Sequence, residues 1–258
     1  MSAAGPSLRI ERLSKSYDRR TVVSVDALRI GGRGIEGLIG PNGAGKTTLM
    51  GLVTRKLEAD EGRILYDDGR GGGERDIRGM SMDAVARLGL VKTNQVVQDF
   101  ETLTIRDSLR LALARPSRER VWTVFARRRP DPAAEAEIDA LLGRFSFSQP
   151  DGHALSAGEK KLLDILRCLA LRPRILLMDE PTAGLPDDVT RQVMDLVAER
   201  VRDEGMCVLV IEHDLDLIWE YCEHVHFLAD GRLMAEGSPA QLRADAIVAE
   251  KYMGAAVA

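Results

Sequence analysis

Apolar and polar positions change their rhythm several times along this chain. Residues 8–30 alternate in short apolar and polar runs, which predicts antiparallel strands. The run at 35–40 predicts a buried strand, 47–55 a helix and 63–66 a short strand. Residues 67–74 (DDGRGGGE) predict either a solvated hairpin tip or a second phosphate-binding loop. A short apolar strand is expected at 88–91, and residues 105–172 are mostly helical in pattern. Residues 174–179 form a continuous apolar run ending in acids, as a buried parallel strand does. Asp187 is placed to cap a helix with Val189, Val193, Leu196, Val197 and Val201 on one face, and 207–211 reads as another buried strand. Strands alternating with helices predict an α/β domain with a mostly parallel sheet. Neither an internal repeat nor a linker divides the chain.

Composition narrows the reading. With 258 residues and 45% apolar content the chain can build a sizeable core. A net charge of −4 gives no electrostatic footprint for nucleic acid, so none is expected as a partner. No apolar run approaches the ~18 residues of a bilayer span. Residues 1–16 lack the apolar core of a secretory signal, and a cytoplasmic location is expected. The cysteines (Cys168, Cys207, Cys222) have no metal-ligand spacing and read as small buried hydrophobes or free thiols.

Chemistry concentrates at Gly40-Pro41-Asn42-Gly43-Ala44-Gly45-Lys46-Thr47-Thr48, which fits G-x-x-x-x-G-K-[ST] between a strand and a helix. Glycines let backbone N–H groups curl around phosphates, and the helix offers its positive end to the same charge. Lys46 can reach the β- and γ-phosphates, and the Thr47 hydroxyl can ligate Mg²⁺. The apolar strand before Asp179-Glu180 adds an acid for Mg²⁺ (Asp179) and one to orient the attacking water (Glu180). Leu155-Ser156-Ala157-Gly158-Glu159 opens a helix. Alone it reads as a capping box from Ser156 to Glu159, or as a second phosphate-binding surface.

These elements, in this order, resemble the ATP-binding subunit of an ABC transporter over nearly the whole chain (7–254). The likeness rests on the Walker A loop (40–48), a glutamine loop at Gln95, the signature LSAGE (155–159), Walker B (175–180) and a switch histidine, His213, in Val-Ile-Glu-His-Asp. The resemblance implies a P-loop NTPase core with a mostly parallel sheet, an N-terminal antiparallel β subdomain and an inserted α-helical subdomain at about 96–172. It implies ATP and Mg²⁺ as cofactors, and a head-to-tail dimer with an identical or related ATPase chain. Ser156 and Gly158 would then touch the γ-phosphate bound by the partner. Gln95 would sense Mg²⁺ and the attacking water, His213 would contact the γ-phosphate, and Tyr17 would stack on adenine. Further partners implied are integral membrane permease subunits and, indirectly, a solute-binding protein, with the chain peripheral on the cytoplasmic face of the membrane.

Within the family the chain looks most like uptake systems for branched-chain amino acids and urea. Asp164, Thr182-Ala183-Gly184-Leu185, the tail 231–239 and Lys251-Tyr252-Met253-Gly254 carry that likeness, and residues 121–126 look most like the urea branch. Export of a lipid or glycolipid is the alternative within transport.

The chain departs from the family pattern at several places. Asn94 stands where Phe is common, with Gln98 as the fallback for the loop glutamine. Glu159 replaces the signature Gln and puts a negative charge near a phosphate unless it turns back to cap its helix. Pro186 and Leu162 replace Asp or Asn and Arg. These departures motivate a non-hydrolysing regulatory partner as a competing function; a soluble ABC ATPase acting on DNA or the ribosome is another. Residues 115–132 hold six arginines against two acids with Trp122 and Phe125 at i, i+3, which suits an amphipathic helix with solvated arginines or a docking segment.

Overall fold

The computed structural model describes residues 5–32, 34–94, 103–114, 131–147 and 155–255. Its contacts divide the chain into two units, one of residues 1–93, 173–181 and 194–258, the other of 94–172 and 182–193.

The first unit holds both sheets. Strands β1 (Ser7–Tyr17) and β2 (Arg20–Gly31) pair antiparallel, as the alternation at 8–30 predicts. β4 (Glu61–Asp67) and β5 (Arg75–Asp76) complete a sheet of order β2-β1-β4-β5. The glycine-rich residues 68–74 therefore join β4 to β5, in a hairpin.

The second sheet contains β3 (Ile35–Ile39), β6 (Leu90–Lys92), β7 (Ile175–Asp179), β8 (Cys207–Ile211), β9 (His224–Ala229) and β10 (Arg232–Gly237). Its order is β10-β9-β3-β8-β7-β6, parallel throughout except for β10 against β9. β3, β7 and β8 are buried along their whole length, which explains why they are apolar apart from Glu36 in β3 and the closing Asp179 of β7. The chain leaves β3 with β8 on one side and β9 on the other. Such a switch point opens a crevice at the carboxyl ends of the strands, where ligands bind in open α/β sheets.

One apolar core joins the two sheets. Leu8, Ile10 and Ile64 of the antiparallel sheet cluster with Leu38, Ile175 and Leu209 of the parallel one, and with Leu49 and Met50 of helix α1 (Lys46–Val53). Each such fully buried side chain contributes about 1.5–3 kcal/mol. Also in this unit are α2 (Met82–Arg87), α7 (Leu215–Tyr221), α8 (Pro239–Arg243) and α9 (Ala246–Ala255).

The second unit contains α3 (Ile105–Leu113), α4 (Pro132–Arg144) and α5 (Ala157–Ala170), with α3 packed on both others. Each begins at a side-chain cap: Thr104, Asp131 and Ser156. Arg106 and Arg110 of α3 pair with Glu135 of α4. Helix α6 (Asp187–Glu204) gives its first turns to this unit and the remainder to the first.

Some boundaries differ from the sequence pattern. The helix expected at 47–55 begins at Lys46 and stops at Val53. Its cap residue Thr54 returns its N–H and hydroxyl to the Met50 carbonyl, closing the last turn. The strand expected at 88–91 is Leu90–Lys92, because Leu88 caps α2 and Gly89 turns the chain at φ 96°. Asp187 is the first helical residue of α6 and not its cap: the Pro186 carbonyl already accepts the Thr190 N–H. Of the expected apolar face, Val193, Leu196 and Val197 are buried, with Met194 added to them, while Val189 and Val201 are half-buried.

Candidate functional site: a phosphate loop and an incomplete carboxylate

The phosphate loop grows out of the carboxyl end of β3. Gly40 lies so close to β9 that a Cβ there would sit 1.9 Å from the Leu228 carbonyl oxygen, and at Gly45 (φ 99°) it would sit 2.7 Å from the Val22 carbonyl oxygen. Only glycine fits at either position. The loop ends where Lys46 starts α1, so the helix N-terminus faces the loop's own concavity. The Lys46 ammonium is buried and donates to the carbonyls of Gly40 (2.6 Å) and Pro41 (3.1 Å). Burial pushes its pKa below the ordinary lysine value, while Glu180 and Asp179 act in the opposite direction. Thr47 is exposed and Thr48 half-buried.

Asp179 closes β7 with no solvent exposure. Its Oδ2 accepts from the Lys92 ammonium at 2.9 Å, and its backbone N–H donates to the Thr93 hydroxyl at 3.2 Å. Its Oδ1 is buried without a hydrogen-bond partner among the described residues. Such an orphaned carboxylate oxygen is costly unless something fills the place. Glu180 follows with φ 48°, a left-handed backbone that a non-glycine residue adopts at a cost and that turns its side chain out of the strand direction. Its Oε1 lies 2.9 Å from His213 Nε2. His213 directly follows Glu212, whose carboxyl accepts the His213 N–H at 3.3 Å. A cleft of about 210 Å³ is lined by Val22, the loop from Asn42 to Thr48, Glu180 and His213.

In the second unit, Ser156 and Glu159 form a reciprocal capping box. The Ser156 N–H (2.9 Å) and hydroxyl (2.7 Å) donate to Glu159 Oε2, and the Glu159 N–H donates to Ser156 Oγ at 3.2 Å. The carboxylate that replaces the expected Gln is therefore turned back onto its own helix start. Gly158 faces the backbone after Walker B: a Cβ there would lie 3.3 Å from the Gly184 carbonyl oxygen. Asp164, buried within α5, accepts the Asn94 backbone N–H (2.7 Å) and its side-chain amide (3.0 Å). Asn94, out of place for the family, is thus the polar partner that the buried Asp164 requires.

A profile of the ABC transporter family matches residues 28–183. The chain belongs to this family. The lipopolysaccharide export system ATP-binding protein LptB of Escherichia coli (strain K12) is 32% identical over 248 residues, covering 96% of this chain and 97% of its own length. The high-affinity branched-chain amino acid transport ATP-binding protein BraF of Pseudomonas aeruginosa is 31% identical over 258 residues, covering 97% of this chain and 99% of its own. Among solved structures, the ADP conformation of MJ1267, an ATP-binding cassette of an ABC transporter, superposes with a TM-score of 0.76 at 27% identity, over 96% of this chain and 99% of that one. The chain is an ATP-binding, ATP-hydrolysing subunit of an ABC transporter.

For this ABC ATPase, the geometry gathers the loop 42–48, Glu180 and His213 around one cleft, with Asp179 buried beside Glu180. Gly40 and Pro41 hold Lys46 and do not line the cleft. Tyr17 is 45% exposed at the end of β1, with the Lys15 ammonium 5.3 Å from its ring centre, and it too is absent from the lining. Gln95 and its fallback Gln98 lie outside the described residues, as do residues 115–130 of the arginine-rich segment. Sequence reasoning missed Lys92 and Thr93, which hold Asp179, and Val22, which walls the cleft. It also passed over Tyr252 as a contact: its hydroxyl accepts the Gly40 N–H at 2.9 Å. No local signal marks any of these, since each acts on a residue far away in sequence.

Proposed function

We propose that the cleft binds the triphosphate of ATP on the amides of Gly43–Thr48 and the Lys46 ammonium, and that Glu180 orients the attacking water. The observation that carries this reading is the buried Oδ1 of Asp179, without a hydrogen-bond partner among the described residues, beside the Glu180–His213 pair. A carboxylate oxygen left open next to a phosphate loop suits Mg²⁺, which Asp179 and Thr47 would hold directly or through water. When bound, the ion would neutralise charge on the β- and γ-phosphates. Lys46 exchanges loop carbonyls for phosphate oxygens, and His213 holds the Glu180 carboxyl in place and meets the γ-phosphate. Gln95 reports the state of the site to the membrane subunits. Ser156 and Gly158 complete the site of a second ATPase chain, identical or related, in a head-to-tail dimer. With Glu159 folded back as a cap, its charge is spent on backbone and hydroxyl donors, which supports the hydrolysing reading over the regulatory one.

The chain works at the cytoplasmic face of the membrane, bound to integral permease subunits; among the described residues no helix is long and apolar enough to cross a bilayer itself. Uptake of a branched-chain amino acid, amide or urea is the reading that the likeness to BraF and the sequence of the 231–239 tail support. Export of a lipid or glycolipid is the second reading, and the similarity to LptB favours it.

The test uses Glu180→Gln. The variant should retain ATP binding, stop hydrolysis and co-extract with integral membrane proteins in mild detergent with ATP and Mg²⁺. Wild-type turnover in the variant would remove Glu180 from its role. Reconstituted with the permeases so recovered, the wild-type ATPase should respond to a solute-loaded binding protein on the uptake reading, and to glycolipid on the export reading.

A further inference from the structure

The β9–β10 hairpin carries a second group of titratable side chains that ATP chemistry does not use. His224 and His226 are two apart on β9 and so share a face, and Glu236 of β10 is the register partner of His226. Glu236 Oε2 lies 3.1 Å from His226 Nδ1 and 3.8 Å from His224 Nε2, and one ligand atom from each residue falls within 4.8 Å of the others. The two imidazoles stand edge-on with centres 4.8 Å apart. Behind them, His226 Nε2 meets Glu36 Oε2 at 2.7 Å, with both side chains fully buried, and the other Glu36 oxygen accepts the Gly31 N–H at 2.5 Å.

We infer that His224, His226 and Glu236 form a binding site for a divalent transition-metal ion, Zn²⁺ foremost. A tetrahedral ion with bonds of about 2.0–2.1 Å needs its ligand atoms roughly 3.3 Å apart; Glu236 Oε2 already lies near that distance from both ring nitrogens, so binding asks mainly for His224 to approach the fixed His226. Two imidazole nitrogens with one carboxylate oxygen select zinc-like ions over Mg²⁺ or Ca²⁺, which take oxygen ligands. Glu36 supplies what metal-bound histidines regularly have, a carboxylate on the far ring nitrogen that fixes the ring's orientation and raises its basicity. It does so from a position with no solvent exposure, so the ring cannot swing away. Glu236 is 47% exposed, giving the ion a path from solvent and leaving a fourth position for water. The ion would fasten the β10 edge to β9. This inference stands apart from the ATPase reading and survives its failure.

The experiment titrates the full chain, free of nucleotide and Mg²⁺, with Zn²⁺ against a chromophoric chelator, and with Co²⁺ to read ligand-field bands. One zinc per chain is expected with tetrahedral Co²⁺ bands. Glu236→Gln, at an exposed position, and His224→Gln, at a half-buried one, should each weaken Zn²⁺ at least tenfold, and Glu36→Gln by ~10–100-fold. His213→Ala removes the exposed His213–Glu180 pair and should leave the site intact. Zinc binding that is absent, or that responds to His213→Ala and not to Glu236→Gln or His224→Gln, overturns the inference.

Discussion

Two carboxyl groups lie fully buried in the same sheet, Glu36 on β3 and Asp179 on β7, with only β8 between their strands. Glu36 has both oxygens answered, one by the Gly31 N–H and one by the His226 ring. Asp179 has one oxygen on Lys92 and the other on nothing among the described residues. Equal burial thus serves opposite ends. A satisfied buried acid fixes strands and rings in place; an unsatisfied one keeps a free-energy cost in the folded chain that a ligand can remove.

The widest separation should come from Asp179→Asn. Lys92 keeps 17% side-chain exposure, so it retains a route to water and the variant stays folded. Mg²⁺-dependent ATP hydrolysis should fall by ~10²–10³-fold, as when one preorganised charge-stabilising group is removed. Steady-state ATPase together with a melting curve decides it; activity near wild type would place the ion elsewhere. Glu36→Gln should do the reverse. ATPase stays within about twofold, while stability drops by ~1–3 kcal/mol, because an amide cannot accept both donors that the carboxylate serves. A variant that loses hydrolysis but not stability would merge the two acids into one class.

A third buried acid, Asp164, extends the comparison to the helical unit. It is satisfied by Asn94 alone among the hydrogen bonds described for it, so Asn94→Ala should cost about 1–3 kcal/mol in denaturant unfolding. Part of this is spared, since the backbone N–H remains.

The smallest effect is a control on a buried neutral group. The Tyr66 hydroxyl donates to the Leu88 carbonyl at 2.6 Å, and burial, the largest cause, pushes its pKa up to about 12. With the folded value above the unfolded one near 10, the folded state holds the proton longer. Stability from this group is therefore complete below pH 10 and is lost as pH rises toward 12. Tyr66→Phe should cost ~1 kcal/mol at neutral pH and flatten that part of the alkaline decline. An unchanged slope between pH 10 and 12 would assign the decline to other groups, among them Cys222, which burial also pushes up to about 12.

The contrast also separates what sequence can and cannot reveal. Asp179 is legible because an acid closing an apolar run, in a chain with a phosphate loop, has a specific use. Glu36 hides inside the apolar run 35–39, and its partner His226 stands 190 positions away, brought near only by the β3–β9 pairing. Lys92 is hidden from Asp179 in the same way, across 87 positions. Helix ends were legible where a cap is local, as at Ser156 with Glu159, and misread where a neighbouring residue took the role, as Pro186 did for Asp187. Strand β8 and, up to its closing acid, β7 announced themselves by continuous hydrophobicity, and β3 did so despite Glu36 within it. β9 did not, because His224 and His226 interrupt the pattern for reasons of their own.

The hydrogen bond from Gly40 to Tyr252 spans 212 positions. During synthesis the nucleotide loop leaves the ribosome long before the phenol that holds its first glycine exists. Until then the growing chain carries a loop with an open backbone donor, and a chain released before that point keeps this defect. A chain lacking Tyr252 would thus keep an open donor at the base of its phosphate loop, and whatever stability bound nucleotide adds would be coupled to the C-terminal helix through this one contact.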